Sequence, residues 1–222
     1  MTKKPVVIFG CGEIAQLAQY YFDTDSDYEV AGFTVDAEYL KADSFLDLPA
    51  VPFESVEERF PPGDFEMFVA VSYAKINQVR QKKADEAGAK GYRLASYISS
   101  RASVLTREPI GENAFILEDN TIQPFAHIGR NVTLWSGNHI GHHSRIGDHC
   151  FISSHVVISG GAIVEPYCFL GVNCTIRDHI TIGASSVIGA GALVMADAEP
   201  ASVFVAAATE KSKIPSHRLR GI

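Results

Sequence analysis

Residues 140–171 read IGHHSRIGDHCFISSHVVISGGAIVEPYCFLG. Stepping by six from Ile140 lands on Ile146, Ile152, Ile158, Val164 and Leu170, an aliphatic side chain every time. The series runs back through Leu134, Ile128, Ile122, Ile116, Ile110 and Val104 to Ile98, and forward through Ile176, Ile182 and Ile188 to Val194. Seventeen consecutive positions carry it without a slip, a run that random placement of aliphatic residues does not produce. A fixed internal period is the first thing to seek in a sequence, because it decides the whole architecture.

Two further phases accompany the aliphatic one. The residue after it is often glycine, as at Gly111, Gly129, Gly141, Gly147, Gly171, Gly183 and Gly189. The residue two before it is usually small, as at Ala114, Ala126, Ser144, Cys150, Ala162, Cys168, Cys174 and Ser186. A period of six fits neither a helix nor a long alternating strand. It fits short strands joined by tight turns, three to a coil, with the aliphatic residue inward. The small residue lets the turn close, and glycine is expected to supply turn geometry that other residues resist. One triangular coil then takes eighteen residues, and successive coils stack about 4.8 Å apart.

The first ninety-odd residues follow another rule. PVVIFG (5–10) reads as a buried strand and a glycine turn, and 14–22 as a helix. EVAGFTV (29–35) reads as a second strand ending at Asp36, 55–60 as a short helix stopped by Pro61, Pro62 and Gly63, and EMFVAVS (66–72) as a third strand. A helix over 76–87 ends at Gly88, and 92–95 is expected as a fourth strand. Alternating strands and helices imply a small parallel α/β sheet. Gly10-Cys11-Gly12-Glu13-Ile14-Ala15 matches the dinucleotide fingerprint with alanine in third place, between strand and helix. It reads either as a phosphate-cradling turn or simply as a tight one. The domains expected are 1–95, Rossmann-like; 96–196, the coil; and 197–222, a tail.

The chain of 222 residues carries a net charge of −7. With no basic stripe, that argues against a nucleic-acid partner. No apolar run reaches the roughly 18 residues a bilayer span needs, nothing resembles a signal peptide, and four cysteines do not make a disulfide framework, so a cytoplasmic setting is expected.

The six-residue repeat over 98–195 resembles the hexapeptide-repeat superfamily, which implies a left-handed parallel β-helix, an exception to right-handed crossovers. With a Rossmann-like unit in front, nearly the whole chain resembles the bacterial sugar acyltransferases: sialic acid O-acetyltransferase-like proteins and N-acetyltransferases of nucleotide-linked 4-amino-4,6-dideoxysugars. That resemblance implies a homotrimer with its active sites between subunits. Acetyl-CoA would lie along the coil near Gly160, Val172 and Ala190. A nucleotide-linked amino sugar would be held by Gly10, Gly12 and Asp36, with Tyr73, Asn77 and Arg80 beside the third strand. Lys211, Lys213, Arg218 and Arg220 in the tail would either meet CoA phosphates or be merely solvated.

The resemblance makes His142 the general base, since the family's histidine precedes an Ile-Gly-Asp sequence, here Ile146-Gly147-Asp148. An imidazole titrates near working pH and suits the role. The family often flanks this base with carboxylates, but here the neighbours are Gly141 and His143, so the group that orients His142 is open. A further histidine nine residues on is also expected, and Phe151 stands there, leaving His139 or His155 as candidates to polarise the thioester. No metal is expected: no two histidines are eighteen apart, so none stack in successive coils of one chain, although a zinc hydratase of this fold would take ligands from neighbouring subunits. A sugar O-acetyltransferase, that hydratase and a non-catalytic scaffold are the rival readings.

Overall fold

The computed structural model describes residues 3–218. The coil occupies most of it. Its strands are two residues long, and each pairs in parallel with the strand eighteen residues on: Thr133 with Phe151, Leu134 with Ile152, His139 with Val157, Arg145 with Ile163. Three stacked sheets form the faces of a left-handed β-helix. From Ile116 to Val194 every aliphatic hexad residue is at most 1% exposed. At the open end of the prism, where no coil lies beneath, Ile98 is 38% exposed. Cys150, Cys168 and Cys174 fill the interior as free thiols. The strands run past the last hexad: Val203–Phe204 pairs with Val187–Ile188 after a return of sixteen residues, so the segment expected as a tail from 197 begins as coil.

The turns correct one expectation. The glycines that follow the aliphatic residues do not supply left-handed backbone. That conformation falls two residues later, at Asn113, Asp119, Phe125, Asn131, His143, His149, His155, Tyr167, Asn173 and His179. Asn, Asp and His tolerate positive φ better than most residues, which accounts for four of the histidines as turn formers. What Gly141 provides is close approach, since a Cβ there would lie 2.6 Å from the Gly160 nitrogen in the next coil.

In the N-terminal unit, β1 (Lys4–Phe9) lies between β2 (Tyr28–Val35) and β5 (Glu66–Val69), with β4 (Leu48–Pro52) beyond β2 and a two-residue antiparallel edge strand, β3 (Ser44–Phe45). The alternation of β1 explains its two-sided burial. Val6 and Ile8 face α1 (Glu13–Thr24), whereas Val7 and Phe9 face α2 (Val56–Arg59) and α3 (Gln78–Ala89). Several elements differ from expectation: α3 runs through Gly88 to Ala89 instead of stopping at 87, and β5 ends at Val69 instead of 72. β4 was hidden by its two prolines, tolerable here because it sits near the sheet edge. The 92–95 segment forms only a bridge, Leu94 to Met67.

One face of the β-helix carries the sheet unit. Its outward residues, at eighteen-residue spacing, are Tyr97, Phe115, Thr133, Phe151 and Phe169. Tyr21 of α1 meets Tyr97 at 5.1 Å and Phe115 at 5.9 Å between ring centres, and Phe68 of β5 meets Phe115 at 5.2 Å. Tyr97 Oη and Ser99 Oγ donate to the Asp25 carboxylate just past α1; bonds from Ser100, followed by these, hold it down to about 2.

Candidate active site

The glycine turn faces the coil across a hollow of about 650 Å³, lined by Gly12, Glu13, Ile14, Ala70–Tyr73, Trp135 and Phe151. Gly10 has φ +129°, and a Cβ there would sit 2.9 Å from the Ala70 carbonyl oxygen, so the tight turn requires glycine. Gly12 caps α1 without any side-chain bond, leaving first-turn N–H groups directed at the hollow's edge. Burial pushes the Cys11 thiol up, and the side chain packs into the core below. Tyr73 is exposed over the hollow, with its ring against Phe151 at 5.1 Å and Phe169 at 4.8 Å. Trp135 Nε1 is buried without a partner among the described residues. Trp135 was missed in the sequence, although it stands next to the inward Leu134 at the end of the sheet-bearing face.

Three residues expected at the sugar nucleotide lie elsewhere. Asp36 is bound by Lys83 Nζ at 2.6 Å and lines a different hollow, between α3 and Tyr167. Asn77 and Arg80 are buried and bind the coil rather than opening toward solvent. Asn77 Nδ2 donates to the Cys168 carbonyl at 3.3 Å. The Arg80 guanidinium donates to the carbonyls of Asn131, His149 and Cys150 at 3.1 to 3.3 Å, and to Val71 and Ser72 at 3.4 Å. Burial of this cation, with no carboxylate partner, pulls its pKa down to about 10. Both residues are rivets of the domain junction. The backbone before them is strained to match: Lys75, Ile76 and Asn77 all have positive φ, so α3 starts at Gln78 rather than 76.

His142 sits on the corner opposite the sheet-bearing face, between the face of His139 and that of Arg145. Its ring lies on Gly160 of the next coil, where a Cβ would come within 2.7 Å of Cε1 and Nε2. Its backbone N–H donates to Gln123 Oε1 at 2.9 Å, and its Nδ1 is 3.1 Å from Nδ1 of His143. The side chain is exposed. Gly160 therefore serves first as a shelf for that ring. His139 stands outward on its flat face between Thr121 and Val157 and does not join this corner. Val172 and Ala190 are exposed and stacked one coil apart on another corner, the one that Ser136 and Gly137 form just past Trp135. His155 is in the turn directly above Gly137. Of the tail cations, Lys211, Lys213 and Arg218 are exposed, and Arg220 lies outside the described residues. Among the described residues no group of three His, Cys, Asp or Glu side chains is arranged to hold a metal ion, and no helix is long and apolar enough to cross a membrane.

With its left-handed β-helix, its small α/β unit and a histidine presented on one corner, the chain resembles the hexapeptide-repeat acyltransferases. Residues 125–160 match the family model for the bacterial transferase hexapeptide (six repeats). Among solved structures, it is similar to a histidine-to-asparagine variant of perosamine N-acetyltransferase from Caulobacter crescentus in complex with CoA and GDP-perosamine. That likeness has 26% identity over 90% of this chain and 92% of that one, with a TM-score of 0.80. The acetyltransferase domain of PglB from Neisseria gonorrhoeae shares the fold at 19% identity, over 88% and 93% of the two chains, with a TM-score of 0.76. WeeI from Acinetobacter baumannii does so at 17% identity, over 90% and 96%, with a TM-score of 0.65. No curated protein matches the sequence.

Proposed function

We propose that the protein transfers the acetyl group of acetyl-CoA to the amine of a nucleotide-linked 4-amino-4,6-dideoxysugar, in the cytoplasm, as a homotrimer. His142 is the general base. The amine nitrogen attacks the thioester carbonyl carbon and its proton passes to His142 Nε2; the carbon–sulfur bond then breaks, and the same proton is handed to the departing sulfur, releasing CoA as the thiol and restoring neutral His142. The nucleotide end lies in the hollow at Gly10 and Gly12, under Tyr73 and Trp135. CoA follows the corner of Val172 and Ala190.

The observation that carries this reading is the separation of the parts. The hollow and the Val172 corner adjoin each other, while His142 is on the far corner of the same coil. One chain cannot bring its own histidine to its own hollow, whereas a threefold assembly sets one copy's corner against the next copy's. The likeness to a perosamine N-acetyltransferase supports the acceptor class.

The test is release of free CoA thiol from acetyl-CoA against a panel of nucleotide-linked amino and hydroxy sugars. Amino sugars should stimulate release, and His142→Ala should lower turnover by about 10²-fold or more, the scale of a lost general base. Stimulation by hydroxy sugars alone would replace the acceptor class, and full turnover by His142→Ala would remove the base.

A further inference from the structure

We infer that His143 is the positioning residue for His142, taking the place of the carboxylate that is missing beside it, by accepting a hydrogen bond from His142 Nδ1. The inference rests on the reading of His142 as base.

Two imidazole nitrogens 3.1 Å apart need one proton between them. If His143 supplied it, neutral His142 would carry its own proton on Nε2 and could accept nothing there. If His142 supplies it, Nε2 keeps its lone pair toward solvent and is the basic nitrogen. Once Nε2 takes the acceptor's proton, His142 has a hydrogen on both nitrogens. The contact can then run only from His142 to His143, and it becomes charge-assisted. The same bond direction thus serves both states of the cycle, and it strengthens as charge develops.

His143 is held for this task. Its ring packs on Phe125, 4.7 Å between centres at a tilt of 32°. That contact gives a purpose to Phe125, which is otherwise 64% exposed. His143 sits in a left-handed turn at φ +59°. Gly160 fixes the other side of the His142 ring. Gln123 is the neutral partner from the preceding coil. The ionisable groups near this corner are Arg107 and Glu108 at the hollow beside Phe125, Arg145 on the next strand, and Asp178 and His179 two coils on. Among the described residues, no carboxylate bonds either ring.

Asn and Asp place an oxygen at the same bond count from Cβ as Nδ1, and both tolerate left-handed backbone. They make a clean series with Ala, each variant being checked by thermal melting. The measurement is kcat and KM for both substrates across pH. His143→Ala should lose about tenfold or more in kcat with KM little changed, because positioning acts on the transition state. His143→Asn, a neutral acceptor, should recover most of that loss. His143→Asp should move the acid limb of the kcat profile up by roughly half a unit or more, because a negative neighbour favours the imidazolium. Equal kcat and identical pH profiles across the series would overturn the inference, as would equal losses in all three. His142→Ala separates the two ideas. If it is inactive while the His143 series is silent, only the positioning role falls; if it keeps turnover, the base falls and His143 with it.

Discussion

In the coil, nearly every residue has a counterpart eighteen positions away doing the same work; in the sheet unit no residue does. The redundancy is visible at Leu134, Ile152 and Leu170, which stack on one face and fill the same layer of the core. Val7 and Phe9, by contrast, meet partners from three different elements. Repeat architectures gather stability from neighbouring units, whereas a small sheet unit must close one core at once. The consequence for chemistry is that the coil offers equivalent corners, and only local departures from the repeat make one of them a site. At the His142 corner the departure is Gly160, a shelf in place of a side chain. At the sheet-bearing face it is the aromatic series from Tyr97 to Phe169, which turns a solvent face into a docking face.

Breaking the joint should have the largest effect. Arg80→Ala leaves carbonyls of both halves without their donor, and a buried acceptor left unsatisfied costs about 1–3 kcal/mol. Two separated thermal transitions are expected, the sheet unit melting first; a single unshifted transition would show the halves independent of this residue. Gly160→Ala should act locally. Its Cβ collides with the His142 ring, so kcat should fall about tenfold or more through a misplaced base while the melting temperature moves little. Thiol-release kinetics beside a melting curve check both parts.

The smallest effect concerns the corner that reads into the sheet. Asn113 Oδ1 accepts from the Val69 N–H of β5, Asn113 Nδ2 donates to Asn131 Oδ1, and Asn131 Nδ2 donates to His149 Nδ1 at 2.9 Å. His149 must therefore carry its proton on Nε2. Burial, helped by the Arg130 charge, lowers its pKa below the usual value of 6.5. As pH falls below that value the unfolded chain takes up a proton that the folded chain refuses, so stability declines with acidification and levels off once the folded pKa is passed. His149→Asn should flatten that part of a denaturant midpoint measured against pH.

Much of the coil was legible because a packing rule repeats in every hexad. Its inward residues, its small residues and its core cysteines all follow from phase. The docking face was legible in principle, since Tyr97, Phe115, Phe151 and Phe169 share an eighteen-residue spacing one place before the aliphatic position, but it emerges only when the three faces are read separately. β4 was not legible, because LPAVP carries the residue that strands exclude. Nor was Arg80, since a single arginine on a helix looks the same whether it seeks a phosphate or five backbone carbonyls. At the candidate site His142 was reached by motif, whereas its contact with His143 depends on a left-handed turn whose position the glycine phase had suggested wrongly.

That one copy's His142 serves another copy's hollow is tested most directly by complementation. Gly12→Phe should fill the hollow without strain, since nothing lies within 4 Å of a Cβ there. His142→Ala removes the base. Each variant alone should be inactive, and doubly tagged assemblies purified from their co-expression should regain thiol release, because some sites then combine an intact corner with an intact hollow. Assemblies containing both chains that stay as inactive as either parent would contradict the shared site.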